Sequence, residues 1–182
     1  MKKIVASFLI TNLLTCTLLH AQNYQPVDNA SSVKFVIRNM GMDTDGKFSG
    51  LEGNIKFNPT DRKTSFFKVS IDANTVNTDI EARDNNLRET DYLDVKKYPH
   101  ISFASKQITR VGKTDVFILK GIVTIKGITK EITFPFTAVP RDDGILFAGE
   151  CKLNRRDFKI GMGSIVLSDN MMVVLSVFAK KG

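Results

Sequence analysis

The sequence predicts an all-β protein, an eight-stranded antiparallel barrel with one short helix inserted at about residues 79–89. Three observations carry this. Apolar and polar residues alternate along most of the chain, the period of a half-buried strand. Turn signals at Asn58-Pro59, Gly112-Lys113, Lys126-Gly127 and Asp143-Gly144 separate the runs at spacings suited to antiparallel hairpins. Each run has one apolar face, so a sheet that curls and closes buries them all and leaves no sticky edge.

The elements follow in order. "KFVIR" turns Phe35 and Ile37 inward, and "FSGLEGNIKF" reads as the next strand. In "FFKVSIDANTV", Phe67, Val69, Ile71 and Ala73 share a face opposite Lys68, Ser70, Asp72 and Asn74. "ISFASKQI" points Ile101 and Phe103 inward, and "DVFILKGIVTIKG" does the same with Phe117, Leu119, Gly121, Val123 and Ile125. "ITFPF" contributes Ile132, Phe134 and Phe136. "ILFAGECKLNR" aligns Ile145, Phe147, Gly149, Cys151 and Leu153 with Arg155. The last run, "MMVVLSVFA", is apolar on both faces and is expected to be covered outside; the sequence admits a homodimer.

The N-terminus is different. Lys2 and Lys3 precede a largely apolar stretch from Ile4 to Leu19, with the small residue Ala21 before a cut. This reads as a secretory signal peptide over residues 1–21, followed by one domain over 22–182, in the periplasm or secreted. The apolar run is short for a membrane span and no second one follows. Thr15 before Cys16 and the apolar residues after it argue against a lipidated cysteine. The 26 basic residues less Lys2 and Lys3 leave 24, which against 19 acidic give +5. The lysines are scattered without a stripe of stacking aromatics, so nucleic acid is not an expected partner. Cys151 is the one cysteine past the cut, so no internal disulfide forms; on an apolar strand face it is a buried filler.

The most polar segment, "EARDNNLRETDYLDVKKYP", interrupts the sheet. Thr78 and Glu81 have the spacing of a capping box, so a helix is expected from Asp79. Pro99 ends it, and Tyr98 before it is extended. Ile80 and Leu87 share one helix face, flanked by Arg83 on one side and by Asp84 and Arg88 on the other. A helix laid across a barrel end buries Ile80 and Leu87 and holds these ions at the rim. They are then either a solvated face, with Asp84 and Arg88 paired at i,i+4, or a docking point for a polar ligand head.

At these residues the sequence resembles a known family. Thr78-x4-Arg83-Asp84-x2-Leu87-Arg88, then Asp91-Tyr92-Leu93-Asp94-Val95, then Tyr98-Pro99-x-Ile101-x-Phe103, is similar to the YceI-like family of exported bacterial proteins, described as polyisoprenoid-binding and lipocalin-like. "FSGLEGNIKFNPTD" resembles its early Gly-rich hairpin, "GIVTIKGITKEITF" its central hairpin and "NRRDFKIG" its late motif. The likeness runs from Val27 almost to the C-terminus. It implies an eight-stranded barrel with a helix and a long apolar pocket for isoprenoid chains with a polar head. Arg83, Asp84 and Arg88 match the helix motif; Arg155, Arg156 and Asp157 match the late one. Lys159 departs from it, since the family often has Gly after the Phe, which bears on the backbone there.

The candidate ligand-binding residues are therefore of three kinds. Phe67, Phe103, Phe117, Phe134 and Phe147 have the inward parity to line an apolar cavity, or else fill it as a plain core. Arg83, Asp84, Arg88 and Arg155 are charges at the rim; Arg155 pairs with Asp84 or Asp157, or receives an anionic head. Met40 and Met162 lie beside glycines in predicted loops, where adaptable side chains suit a mouth or plug the end. Gly121 and Gly149 leave space on inward faces, or mark bends.

The chemistry inventory excludes little but offers less. Past residue 21 His100 is the one histidine, no G-x-S-x-G is present, and one His with one Cys makes no usual zinc site. "DTDG" at 43–46 lacks the Glu of a calcium loop, and no phosphate-binding glycine motif is found. No enzyme, cofactor or metal is expected. Two readings stand: an exported protein that sequesters or carries an isoprenoid-type lipid, or a stress-response or interaction module whose barrel is filled.

Overall fold

The computed structural model describes residues 22–182. The expected signal peptide, with Cys16, lies outside the described residues. Nine strands form one closed antiparallel sheet: β1 (Gln22–Pro26), β2 (Ser32–Asn39), β3 (Met42–Phe57), β4 (Phe66–Asn77), β5 (His100–Arg110), β6 (Val116–Ile125), β7 (Ile128–Arg141), β8 (Gly144–Asn154) and β9 (Leu167–Lys181). The order is β1-β3-β2-β9-β8-β7-β6-β5-β4, and β4 returns to β3. The barrel nevertheless has eight staves. β1 pairs with β3 at Tyr24↔Ile55 and with β9 at Tyr24↔Lys181, while β2 pairs with the same two strands further along, at Val33↔Phe48 and Val33↔Leu175. They are one stave broken by a 3₁₀ turn at Asp28–Ala30, and Asp28 Oδ1 accepts the Leu51 N–H at 2.8 Å across the gap. The expected eight-stranded barrel is thus present, with β1 the piece that alternation alone did not mark.

The turns form as their residues dictate. Lys126 and Gly127 both have positive φ (51° and 71°) and connect Ile125 to Ile128, a two-residue turn whose twist suits a hairpin. Met40 and Gly41 (φ 50° and 81°) do the same between Asn39 and Met42. The interior is apolar and the outside carries the charges, the inverse of a membrane-spanning barrel. Outside, Glu131 binds Lys106 at 3.1 Å and Lys120 at 2.9 Å, a charge bridge over β5, β6 and β7. β9 differs: Met172 is exposed and Val174 and Phe178 are half-buried on its outer side, so within one chain the expected cover is incomplete.

The helix is shorter than expected. α1 spans Glu81–Arg88, its N-cap is Ile80, and no side chain caps it. The capping box does not form, because the Thr78 hydroxyl is committed to Asp84 Oδ1 at 2.5 Å. Ile80 is not buried but 52 % exposed, and the buried helix residue is Asp84. The core contacts expected of Ile80 come instead from Leu93 and Val95, in the turns after the helix.

Beyond β8 a 3₁₀ turn, Arg155–Phe158, ends at Lys159 in the left-handed conformation, φ 54° and ψ 38°. A side chain there costs about 1–2 kcal/mol that glycine escapes. Glycine gives back part of this through its freer unfolded chain. Lys159→Gly is therefore expected to raise stability by up to about 1 kcal/mol, read as a higher midpoint in urea.

Candidate functional site

The barrel interior is solid at one end and hollow beyond it. Phe57, at the end of β3, is the hub of the solid part. Its ring meets those of Phe67, Phe117, Phe136 and Phe147 edge-on at 5.3–6.3 Å. Such pairs add about 0.5–1.5 kcal/mol each beyond the area they bury. All five rings are buried. This end is where β1 lies and where β4 and β6 begin.

Past the rings a cavity of about 220 Å³ opens toward the α1 end. Phe67, Phe136 and Phe147 form its floor; Phe103, Phe134, Leu119, Val123 and Cys151 contribute to its wall; Leu87, Leu93 and Ile160 meet it from the helix end. Phe35, Phe48, Phe103, Ile101, Met171 and Val173 point inward yet are only half-buried, because they face empty space. Among the described residues, Lys34 is the one ionisable residue besides Cys151 in contact with the hollow, and it is exposed on β2. An apolar cavity of about 150 Å³ already stays dry and admits benzene, so this one suits an apolar guest.

Of the five phenylalanines expected to line a cavity, Phe67, Phe103, Phe134 and Phe147 do. Phe117 does not: it stacks with Phe136 at 5.4 Å inside the plug. Phe35 lines it as its inward parity implied, while Phe48 and Phe57 were missed. Phe48 and Leu51 both face in, three residues apart, because Gly50 (φ 73°) forms a bulge in β3 that shifts the parity. Gly50 between the two was the available signal. Gly149 lines the cavity, yet neither inward glycine leaves room for a side chain: a Cβ at Gly149 would lie 2.8 Å from the Pro135 carbonyl oxygen and one at Gly121 2.5 Å from the Phe103 ring, and the β5 register shifts between Ser105 and Gln107 beside Gly121.

The rim charges are placed differently from the expectation. Arg83, Asp84 and Arg88 tie α1 to the end of β4. Asp84 Oδ1 accepts the Thr78 N–H at 2.8 Å as well as its hydroxyl. Arg83 donates to Thr78 Oγ1 at 2.7 Å and to the Thr78 carbonyl at 2.8 Å. Arg88 donates to the carbonyls of Asn74 and Val76 at 2.8 and 2.9 Å and to Asn85 Oδ1 at 2.9 Å. The β3–β4 ladder skips from Asn77 to Asp72, so carbonyls in between lack a strand partner and the guanidinium supplies one. Asp84 and Arg88 do not pair, and none of the three touches the cavity.

Arg155 is the most buried of the charges, at 2 % exposure. Its partner is neither Asp84 nor Asp157 but Asp169, at 2.9 Å; Asp157 lies 3.9 Å from Lys130. Nε donates to the Ser168 carbonyl, Nη1 to those of Ile160 and Met162, and Nη2 to Leu167 as well as Asp169. All five N–H groups are used, two by Ile160 and Met162 after the 3₁₀ turn and three by Leu167, Ser168 and Asp169 at the start of β9. None is left for an anionic head. Met40 and Met162 do not line the hollow either; they stand out into solvent at 72 % and 83 % exposure. Among the described residues no three His, Cys, Asp or Glu side chains are placed to hold a metal ion.

Comparison with known proteins bears on this geometry. The model of the YceI-like domain matches residues 24–179. This chain belongs to the YceI-like family. Protein YceI of Salmonella arizonae is 26 % identical over 187 aligned residues, covering 97 % of each chain. The crystal structure of Burkholderia cenocepacia BcnA is similar in fold, with TM-score 0.78 at 24 % identity, over 82 % of this chain and 96 % of that one. A polyisoprenoid binding domain from Saccharophagus degradans gives TM-score 0.73 at 17 % identity, over 87 % and 98 %. In this YceI-like chain the barrel and its short helix are the family fold, and the cavity lies within the matched residues.

Two outcomes test the site as drawn. Arg155→Leu leaves several carbonyls without a donor, at about 1–3 kcal/mol each. It should cost at least about 3 kcal/mol in chemical denaturation and loosen residues 160–169 in hydrogen exchange. Burial pushes the Cys151 thiol from its ordinary 9.0 up to about 11. Alkylation by iodoacetamide should therefore be slow at pH 8 and rise only as the pH nears 11. Because the thiol holds its proton more firmly folded than unfolded, its contribution to stability is complete below about pH 8.5 and is lost as the pH climbs through the raised value.

Proposed function

We propose that the protein is an exported carrier that takes the apolar chain of an isoprenoid-type lipid into the cavity above the phenylalanine plug. The observation that carries the reading is the hollow itself: inward aromatic and aliphatic side chains that stand half-exposed to a 220 Å³ space with no buried charge in its wall. Each CH₂ moved from water to such a wall gains about 0.8 kcal/mol. The cation that touches the hollow, Lys34, is exposed, so no buried group in the described wall pairs with a carboxylate or phosphate, and an unpaired buried ion is costly. The polar head therefore stays at the surface and the chain goes in. The name of the Saccharophagus neighbour supports the isoprenoid class. The apolar residues 1–21 with Lys2 and Lys3 support export.

Native extraction tests this. Protein purified without detergent is extracted with organic solvent and the extract analysed by mass spectrometry. A chain-like lipid near one per barrel is expected. Val173 faces the hollow, so Val173→Trp directs a ring into it. This should leave the barrel folded and lower prenyl-lipid uptake at least about tenfold, because displacing two CH₂ groups already costs about 1.6 kcal/mol. Empty extracts with no uptake of added prenyl lipids would end the carrier reading.

A further inference from the structure

The α1 end of the barrel carries an apolar tip that the cavity does not use. Two loops build it. Met40 in the β2–β3 turn and Met42 just after it are 72 % and 71 % exposed, and Met162, Ile165 and Val166 come from the segment before β9. The Met40 N–H donates to the Val166 carbonyl at 2.8 Å, so the loops lie side by side. Ile165 is fully exposed. These loops are held in place. The turn at Met40-Gly41 is tight, and Arg155 grips the carbonyls of Ile160, Met162, Leu167 and Ser168 around the second loop. A fixed scaffold that presents Met and Ile to water marks an interaction surface.

A basic collar stands behind the tip. Arg38 Nε donates to the Gly41 carbonyl at 3.0 Å, Arg156 Nη1 to that of Gly161, and Lys126 Nζ to that of Lys159 at 3.0 Å. Among the described residues, none of Arg38, Lys126, Arg156 and Lys159 forms an ion pair with an acid. The nearby acids are Asp43, opposite Arg38 in the ladder, Asp157, beside Lys130, Asp169, held by Arg155, and Asp91, whose carbonyl accepts the Gly161 N–H at 2.8 Å. We infer that this tip docks on an anionic lipid surface, with the Met and Ile side chains in the headgroup–acyl boundary and the four cations against the headgroups. Apolar tip and basic collar are the two parts such a surface selects. Docking turns the end of the barrel nearer the hollow toward the lipid. It goes beyond the carrier reading and is measured without any cargo.

The test uses the chain from Gln22 onward, which contains the whole barrel and omits the apolar residues 1–21. It is sedimented with vesicles of phosphatidylcholine alone and of phosphatidylcholine with phosphatidylglycerol. The expected result is binding to the anionic vesicles that weakens with added salt. Ile165→Asp with Met162→Ser, both at exposed positions, should keep the circular dichroism spectrum and weaken binding at least about tenfold. No sedimentation, equal binding to neutral vesicles, or binding untouched by the two substitutions would each overturn the inference. A dimer that the same substitutions split, with no vesicle binding, also overturns it and gives the tip to a second copy of the chain. Cargo extraction stays independent: a loaded barrel that ignores vesicles sinks the docking alone, and a vesicle-binding barrel with empty extracts sinks the carrier alone.

Discussion

Where the phenylalanine rings sit decides what the barrel is. An eight-stave barrel encloses little more room than its own side chains fill. Phe57 gathers four other rings around it at one end, so aromatic volume is spent there and not along the whole axis. The remaining length is left to Val, Leu, Ile and a few more Phe, which line the wall without meeting across it. A barrel with the same residues spread evenly would be a packed core. The uneven distribution gives both the edge-on contacts that hold the closed end and the apolar space beyond it.

The opposite end is held by polar chemistry. The strands there run out of ladder partners, and charged side chains stand in for them. Arg88 bonds the carbonyls of Asn74 and Val76, Asp84 and Arg83 wrap Thr78, and Arg155 gathers four carbonyls and Asp169. Arg suits this work because its donors are fixed in a planar fork and its charge does not depend on pH in the ordinary range. These ions therefore sit close to the hollow while serving the backbone. Proximity of charge to a pocket is not evidence that the charge meets the guest.

The barrel was legible in the sequence because period-two alternation is a direct image of a wall with one wet and one oily side. Phe67, Phe103, Phe134 and Phe147 could be placed from parity alone. Phe48 could not, since the bulge at Gly50 breaks the count, and Phe117 could not be told from a cavity residue because parity gives the side of the sheet and not the height along the axis. β1 escaped because five residues paired with two strands show no alternation worth the name. Motif matching found Arg83, Asp84, Arg88 and Arg155, but a motif marks a requirement without saying whose. The requirement here is the chain's own backbone, carbonyls for the three arginines and the Thr78 N–H for Asp84. The departure at Lys159 was visible as a residue where glycine was expected, and the backbone there is the left-handed one.

The joint between β3 and β4 departs from a regular ladder twice, at Lys47/Ser49 and at Ser49/Glu52, and leans on Thr75, which accepts from the Ser49 N–H at 2.8 Å. The joint between β6 and β7 is the contrast, with ten successive pairs from Val116↔Thr137 to Ile125↔Ile128 and no break. The β3–β4 joint thus has fewer backbone bonds to break than the β6–β7 joint. A bulkier guest would be accommodated by the β3–β4 joint giving way a little, like the seam of a garment, while the β6–β7 joint keeps its shape.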